Sequence, residues 1–147
     1  MADWRAHIID DPPGLRALIQ RVRRIAVLGI KTIDEDWQPA YYVPKYVQDA
    51  GFQVVPVPIY FPEATEILGQ RVYRRLLDVP APLDLVNVFR RPRHLAAHLD
   101  DILAARPGAV WLQSGISDDA FARQLAESGI DVVQDRCLMV ELQRIGR

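Results

Sequence analysis

The chain has 147 residues, half of them apolar, with a formal net charge of −1 and a single cysteine. That length suits one domain able to bury roughly 70% of its unfolded surface, and the apolar share excludes a disordered chain. The near-neutral balance excludes broad attraction to nucleic acid or anionic membranes, and one cysteine excludes an internal disulfide or a multi-thiolate metal site.

No apolar run reaches the length of a membrane span, and Met-Ala-Asp-Trp-Arg does not begin like a signal peptide, so a cytoplasmic location is expected. No repeat, linker or low-complexity tract divides the sequence. Residues 1–147 read as one domain, with 1–23 an N-terminal helical extension packed on it.

Asp10-Asp11-Pro12-Pro13 marks a helix start, with prolines in the first turn and acids favoured by the dipole. Leu15, Leu18, Ile19 and Val22 then give a face of period 3.6. Strand one is Ile25-Ala26-Val27-Leu28, closed by Gly29, and a long polar loop follows. Pro44 is harmless in a first turn but costs about 3 kcal/mol in a helix interior, so the next helix is placed from Ala40 or Tyr41 to Gly51. Val43, Tyr46, Val47 and Ala50 form its inner face.

Strand two is Phe52 to Val57, and Pro58-Ile59-Tyr60-Phe61-Pro62 is a proline-bounded loop. A short helix is expected around Val72 to Leu77, ahead of Pro80 and Pro82. Strand three runs from Leu83 to Phe89 into Arg90-Arg91-Pro92, and a helix over Pro92 to Ala105 turns Leu95, Leu99, Ile102 and Leu103 inward. Strand four is Ala109 to Leu112, followed by Gln113-Ser114-Gly115-Ile116. Ser117 is read as the cap of a helix that Gly129 stops. Strand five is Ile130 to Val133, and a last helix carries Leu138, Val140, Leu142 and Ile145.

Strands alternating with helices imply an α/β fold: a Rossmann-like open parallel five-stranded sheet with helices on both faces. The strand order read from this alternation is 3-2-1-4-5, which puts a crevice between strands one and four. In such sheets ligands sit beyond the carboxyl ends of the strands, where unpaired N–H groups at a helix start favour phosphate. A dinucleotide site would show G-x-G-x-x-G after strand one and an acid ending strand two. Here Gly29 stands alone and Val57-Pro58-Ile59-Tyr60 carries no carboxylate. The sheet suits a nucleotide and the details do not suit NAD.

The segments IAVLGIK, PAYYVPKYVQDAGFQVVPV, ILGQRVYRRLLDVPAPLDLVNVFRRP, AVWLQSGI and GIDVVQDRC follow one another in a recognisable register. Over roughly residues 15–145 the chain resembles the small stand-alone coenzyme A-binding proteins of bacteria and archaea. These are similar to the N-terminal domain of the succinyl-CoA synthetase α subunit. The resemblance implies CoA or acyl-CoA as ligand, held without an evident catalytic activity. It implies that Gly29, Ile30, Lys31 and Thr32 wrap the diphosphate, with Tyr41 and Lys45 on the helix beneath. Val57 and Pro58 would mark the ribose side, Phe89, Arg90 and Arg91 the adenine, and Gln113, Ser114, Gly115 and Ile116 the pantetheine arm.

Two positions depart from the family pattern. Pro58-Ile59-Tyr60 replaces an Asn-Pro-base sequence after strand two, and Tyr42 stands where a base often follows the tyrosine of the helix start. Two cations expected near phosphate, the 3′-phosphate included, are absent. Lys31, Lys45, Arg90 and Arg91 are the candidates to compensate.

The same residues admit other readings. Lys45 has an alternative partner in Asp49 at i+4, and Arg90 and Arg91 could be solvated surface. Gln113-Ser114-Gly115 lacks the G-x-S-x-G of a nucleophile elbow. His94, His98 and Asp101 share a helix face without the glutamate of a zinc motif, so a solvated face is preferred and no metal site is assigned. Cys137 follows Arg136 at an expected helix start, which makes it a possible reactive thiol; the other reading is a small buried apolar side chain. Two further functions remain open: a component of an acyl-CoA ligase or transferase needing a partner subunit, and an NAD(H)- or CoA-responsive redox module. A protein partner or homo-oligomer is not read from the sequence.

Overall fold

A computed structural model describes residues 3–147. Its centre is a parallel sheet of β1 (Arg24–Leu28), β2 (Gln53–Val57), β5 (Leu85–Val88), β6 (Ala109–Leu112) and β7 (Asp131–Val133). Side chains alternate across a strand, and the core divides accordingly. Ile25, Val27, Val54, Leu85, Trp111 and Val133 face one side. Ala26, Leu28, Val55, Val57, Val86, Val88, Val110, Leu112 and Val132 face the other.

The first face is covered by α1 (Pro12–Gln20), α2 (Pro39–Asp49) and α5 (Leu138–Arg144) through Leu15, Leu18, Ile19, Val43, Val47, Leu138 and Leu142. The second is covered by α3 (Leu99–Ala105) and α4 (Asp119–Glu127) through Ile102, Phe121 and Leu125. Each such leucine or isoleucine contributes about 1.5–3 kcal/mol by leaving water. The fold class is the one expected, an open parallel α/β sheet with helices on both faces.

The position of the third sheet strand differs from the expected order. It lies between the first and fourth, giving β2-β1-β5-β6-β7, whereas 3-2-1-4-5 would have set it outside the second. Two residues explain this. Pro56 has no N–H to give, and its carbonyl points away from β1 to accept from Tyr73 N–H at 3.0 Å, so β2 is suited to the sheet's edge. Asp84, just before β5, accepts the backbone N–H groups of Arg23 and Arg24 at 3.0 and 2.9 Å, which fastens the start of β5 beside β1. All four residues of β5 are buried, as an interior strand requires.

Smaller differences have local causes. The segment expected as a helix over Val72 to Leu77 instead follows a two-stranded antiparallel ribbon, β3 (Glu66–Ile67) and β4 (Gln70–Arg71), and holds only a 3-10 turn at Leu76–Asp78. The stretch after β5 opens as a 3-10 helix, Pro92–His98, before it becomes α3. Asp118 rather than Ser117 caps α4, its side chain accepting from Phe121 N–H at 3.0 Å.

Candidate functional site

β1 ends at Gly29, whose φ of +90° is a left-handed conformation that glycine adopts freely. A Cβ there would stand 2.5 Å from the carbonyl oxygen of Phe89, at the end of β5. The two chains therefore touch and then part, one returning through α2 on one face, the other through α3 on the opposite face. This is the topological switch point of the sheet, between its first and third strands rather than between its first and fourth. A cleft of about 890 Å³ opens there.

The loop that follows Gly29 spends several of its amides internally. Gly29 N–H donates to Val57 O at 2.9 Å and Lys31 N–H to Ala40 O at 3.0 Å. The second bond depends on Pro44. α2 begins at Pro39, earlier than expected, so Pro44 lies inside the helix and cannot donate to Ala40 O. The freed carbonyl takes the loop's Lys31 N–H instead. Among the described residues the N–H groups of Ile30, Thr32 and Ala40 have no acceptor, and the Thr32 hydroxyl oxygen is buried without a partner.

The opposite wall is cationic. Arg90, Arg91, Arg93 and His94 line the cleft with Lys31 across from them, and among the described residues no carboxylate does. Lys31 Nζ pairs with Glu35 at 3.2 Å, Arg90 Nε donates to His98 Nε2 at 3.2 Å, and Arg93 Nε to His94 Nε2 at 3.3 Å. Arg91 has no side-chain partner among the described residues. Loss of surrounding water, then repulsion from Arg90, Arg93 and Arg91, holds His94 below the usual histidine value. Burial, then Arg90, does the same for His98.

The third wall comes from the end of β6 and the start of α5. Gln113 is 4% exposed and lines the cleft. Its Oε1 accepts from Leu138 N–H at 2.9 Å and from Asn87 Nδ2 at 3.2 Å. Only an oxygen can accept a backbone N–H, so the amide orientation is fixed and Nε2 has no partner among the described residues. Cys137, Met139 and Val140 complete this wall. A loop over the mouth carries Tyr60, and Arg74 gathers that loop by donating to the carbonyls of Tyr60, Phe61, Pro62 and Ala64.

Of the residues singled out from the sequence, Lys31, Phe89, Arg90, Arg91, Gln113, Ser114, Gly115, Ile116 and Cys137 line the cleft together. Gly29 shapes it from beneath. Ile30, Tyr41, Val57 and Pro58 are buried in the core, and the Thr32 hydroxyl is enclosed. Lys45 is turned away and pairs with Asp49 at 3.1 Å. Tyr42, not Tyr41, lines the cleft.

Sequence reading missed Gln38, Pro39, Ala40 and Val43 on α2, together with Pro92, Arg93, Met139 and Val140. The base-rich run Arg90-Arg91-Pro92-Arg93-His94 could have revealed Arg93 and His94. Nothing in the sequence flags Met139 or Val140, which reach the cleft because α5 packs beside α2.

Known proteins share the fold and the family of this chain. A family model described as a CoA binding domain matches residues 23–143. A solved structure of cell-free ID.343 from Thermus thermophilus is similar at 43% identity, with a TM-score of 0.84 over 92% of this chain and 99% of that one. A hypothetical protein from Pyrococcus horikoshii OT3 is similar at 26% identity, with a TM-score of 0.80 over 92% of each chain. The uncharacterized protein YneT of Bacillus subtilis (strain 168) is 32% identical over 126 residues, 86% of this chain and 90% of its own. With its family model spanning both walls of the cleft, the chain belongs to the CoA-binding domain family.

Proposed function

We propose that the protein binds coenzyme A or an acyl-CoA in the cleft beyond β1, β5 and β6. One observation carries this reading past family membership: among the described residues the cleft is lined by Lys31, Arg90, Arg91 and Arg93 and by no acid. CoA brings a diphosphate and a 3′-phosphate, and guanidinium groups match such oxygens with paired N–H donors. A cleft of about 890 Å³ lies within the range that accommodates a ligand of this class.

In this reading the diphosphate lies between the unengaged amides of Thr32 and Ala40 and the unpaired guanidinium of Arg91. Phe89 and Arg90 border the adenine, and the pantetheine arm runs along Gln113 to Ile116. Tyr42 and Tyr60 stand where family members carry cations, so the 3′-phosphate receives less than its usual share of charge. We assign binding to the cleft and no reaction.

Calorimetry with CoA, acetyl-CoA, dephospho-CoA, NAD and ATP tests the reading. CoA and acetyl-CoA should bind more tightly than NAD or ATP, with dephospho-CoA within a few-fold of CoA. At a hundred times its dissociation constant CoA should add about 2.7 kcal/mol of stability, visible as a higher melting temperature. Tighter binding of NAD than of CoA would overturn the assignment.

A further inference from the structure

The wall that would meet the pantetheine end holds a thiol and a side-chain amide close together. Cys137, the one cysteine of the chain, is half-buried and lines the cleft. Beside it in structure is Gln113, 96% withdrawn from solvent, whose Oε1 is occupied by Leu138 N–H and Asn87 Nδ2. Leu138 is the residue after Cys137, so the bond that locks Gln113 is made by the thiol's own chain neighbour. The remaining end of that amide, Nε2, is a fixed donor with no acceptor among the described residues. That nitrogen is open to the cleft, where a ligand carbonyl can take the place of the water it would otherwise meet.

We infer that Cys137 is a site of reversible S-thiolation by the disulfide form of CoA, with Gln113 Nε2 gripping the carbonyl of the ligand's terminal amide. The inference rests on the proposed CoA reading of the cleft. In CoA the sulfur lies one cysteamine unit beyond that carbonyl. A donor fixed one residue away from the Cys137 backbone therefore brings the ligand's sulfur to the protein's. Met139 and Val140 supply an apolar surface along the same arm.

The step is a thiol–disulfide exchange and needs no other oxidant. The Cys137 thiolate attacks one sulfur of CoA disulfide, and the bond between the two CoA sulfurs breaks. A bond forms between Cys137 Sγ and the attacked sulfur. The second CoA leaves as a thiolate and takes up the proton that Cys137 released to the medium. Oxidation state is conserved: the disulfide is carried from the ligand dimer to the protein–ligand pair.

Intact-mass measurements on the reduced protein test this, with CoA disulfide and glutathione disulfide supplied separately at equal concentration. The expected result is a single CoA adduct on Cys137, removed by dithiothreitol and absent in Cys137→Ser. It should form at least tenfold faster than the glutathione adduct. Gln113→Glu keeps an oxygen for Leu138 N–H but removes the donor, and should cut that preference about tenfold while the glutathione rate holds. Equal rates for the two disulfides in the unaltered protein would overturn the inference, as would a preference that Gln113→Glu leaves intact. Calorimetry of reduced CoA on Cys137→Ser separates the two failures. Binding without preferential thiolation removes only this inference, whereas no binding removes the CoA reading as well.

Discussion

The two chains that part at Gly29 prepare their sides of the cleft differently. The loop after β1 is organised by main-chain hydrogen bonds, with Gly29 and Lys31 N–H committed to Val57 and Ala40 carbonyls. Its lysine is also committed, to Glu35. The segment after β5 contributes side-chain charge, with three arginines in four residues and no acid lining the cleft among them. One side thus supplies shape and a few open amides, while the other supplies the field. A ligand's phosphates would be located by the first and attracted by the second.

This contrast can be broken where the two sides touch. Gly29→Ala places a Cβ 2.5 Å from Phe89 O at a φ of +90°, so backbone strain and a clash with main chain act together. A loss of about 3 kcal/mol is expected in urea unfolding, along with weakened CoA binding. A fully stable alanine variant would show that the junction is softer than its geometry implies.

The charged side is sharpened next. Arg91→Ala should weaken CoA by roughly ten- to a hundredfold in calorimetry, the value of hydrogen bonds to a charged group, with the melting temperature of the free protein nearly unchanged. Unaltered affinity would return the binding energy to the amide loop.

A third test uses pH. His94 and His98 are held below the ordinary histidine value, so the unfolded chain binds their protons more readily than the folded one. Their contribution to stability is present above about pH 6.5 and is lost as pH falls below it. A bound phosphate opposes the arginines' effect on His94 and raises its proton affinity, so binding takes up a proton in that range. CoA affinity should therefore strengthen, by a few-fold, between pH 7.5 and 5.5. The His94→Gln variant should lose that increment, which separates it from titration of the ligand's own phosphates.

The smallest effect is expected at Lys45. It is exposed and paired with Asp49 away from the cleft, so Lys45→Ala should change stability by no more than about 0.5 kcal/mol and CoA affinity by less than twofold.

What the sequence made legible follows from how local each signal is. Strand one, its glycine and the helix faces are written in apolar spacing, and those elements lie where spacing put them. Strand order is decided by neighbours far apart in sequence, and alternation of strands and helices admits several orders. Pro56 was the readable clue, because a missing N–H belongs on an outer edge, and Asp84 was a second that only coordinates reveal.

The site divides in the same way. Residues directly after a strand, such as Arg90, Arg91 and Gln113, could be placed from the sheet alone. Tyr41 and Tyr42 are adjacent on a helix, and only its rotation about its own axis decides which of them faces the cleft. Met139 and Val140 arrive by the packing of a terminal helix, for which no nearby residue gives notice.

Pro44 never meets the cleft, yet it governs an entrance to it. By withholding one donor inside α2 it leaves Ala40 C=O to the loop, and the loop's course is set by that vacancy. An alanine at this position would restore the helix's own bond and set two amides competing for a single oxygen. A change that improves the helix would thereby loosen the doorway, and the rim of the cleft would be retuned from a residue hidden behind it.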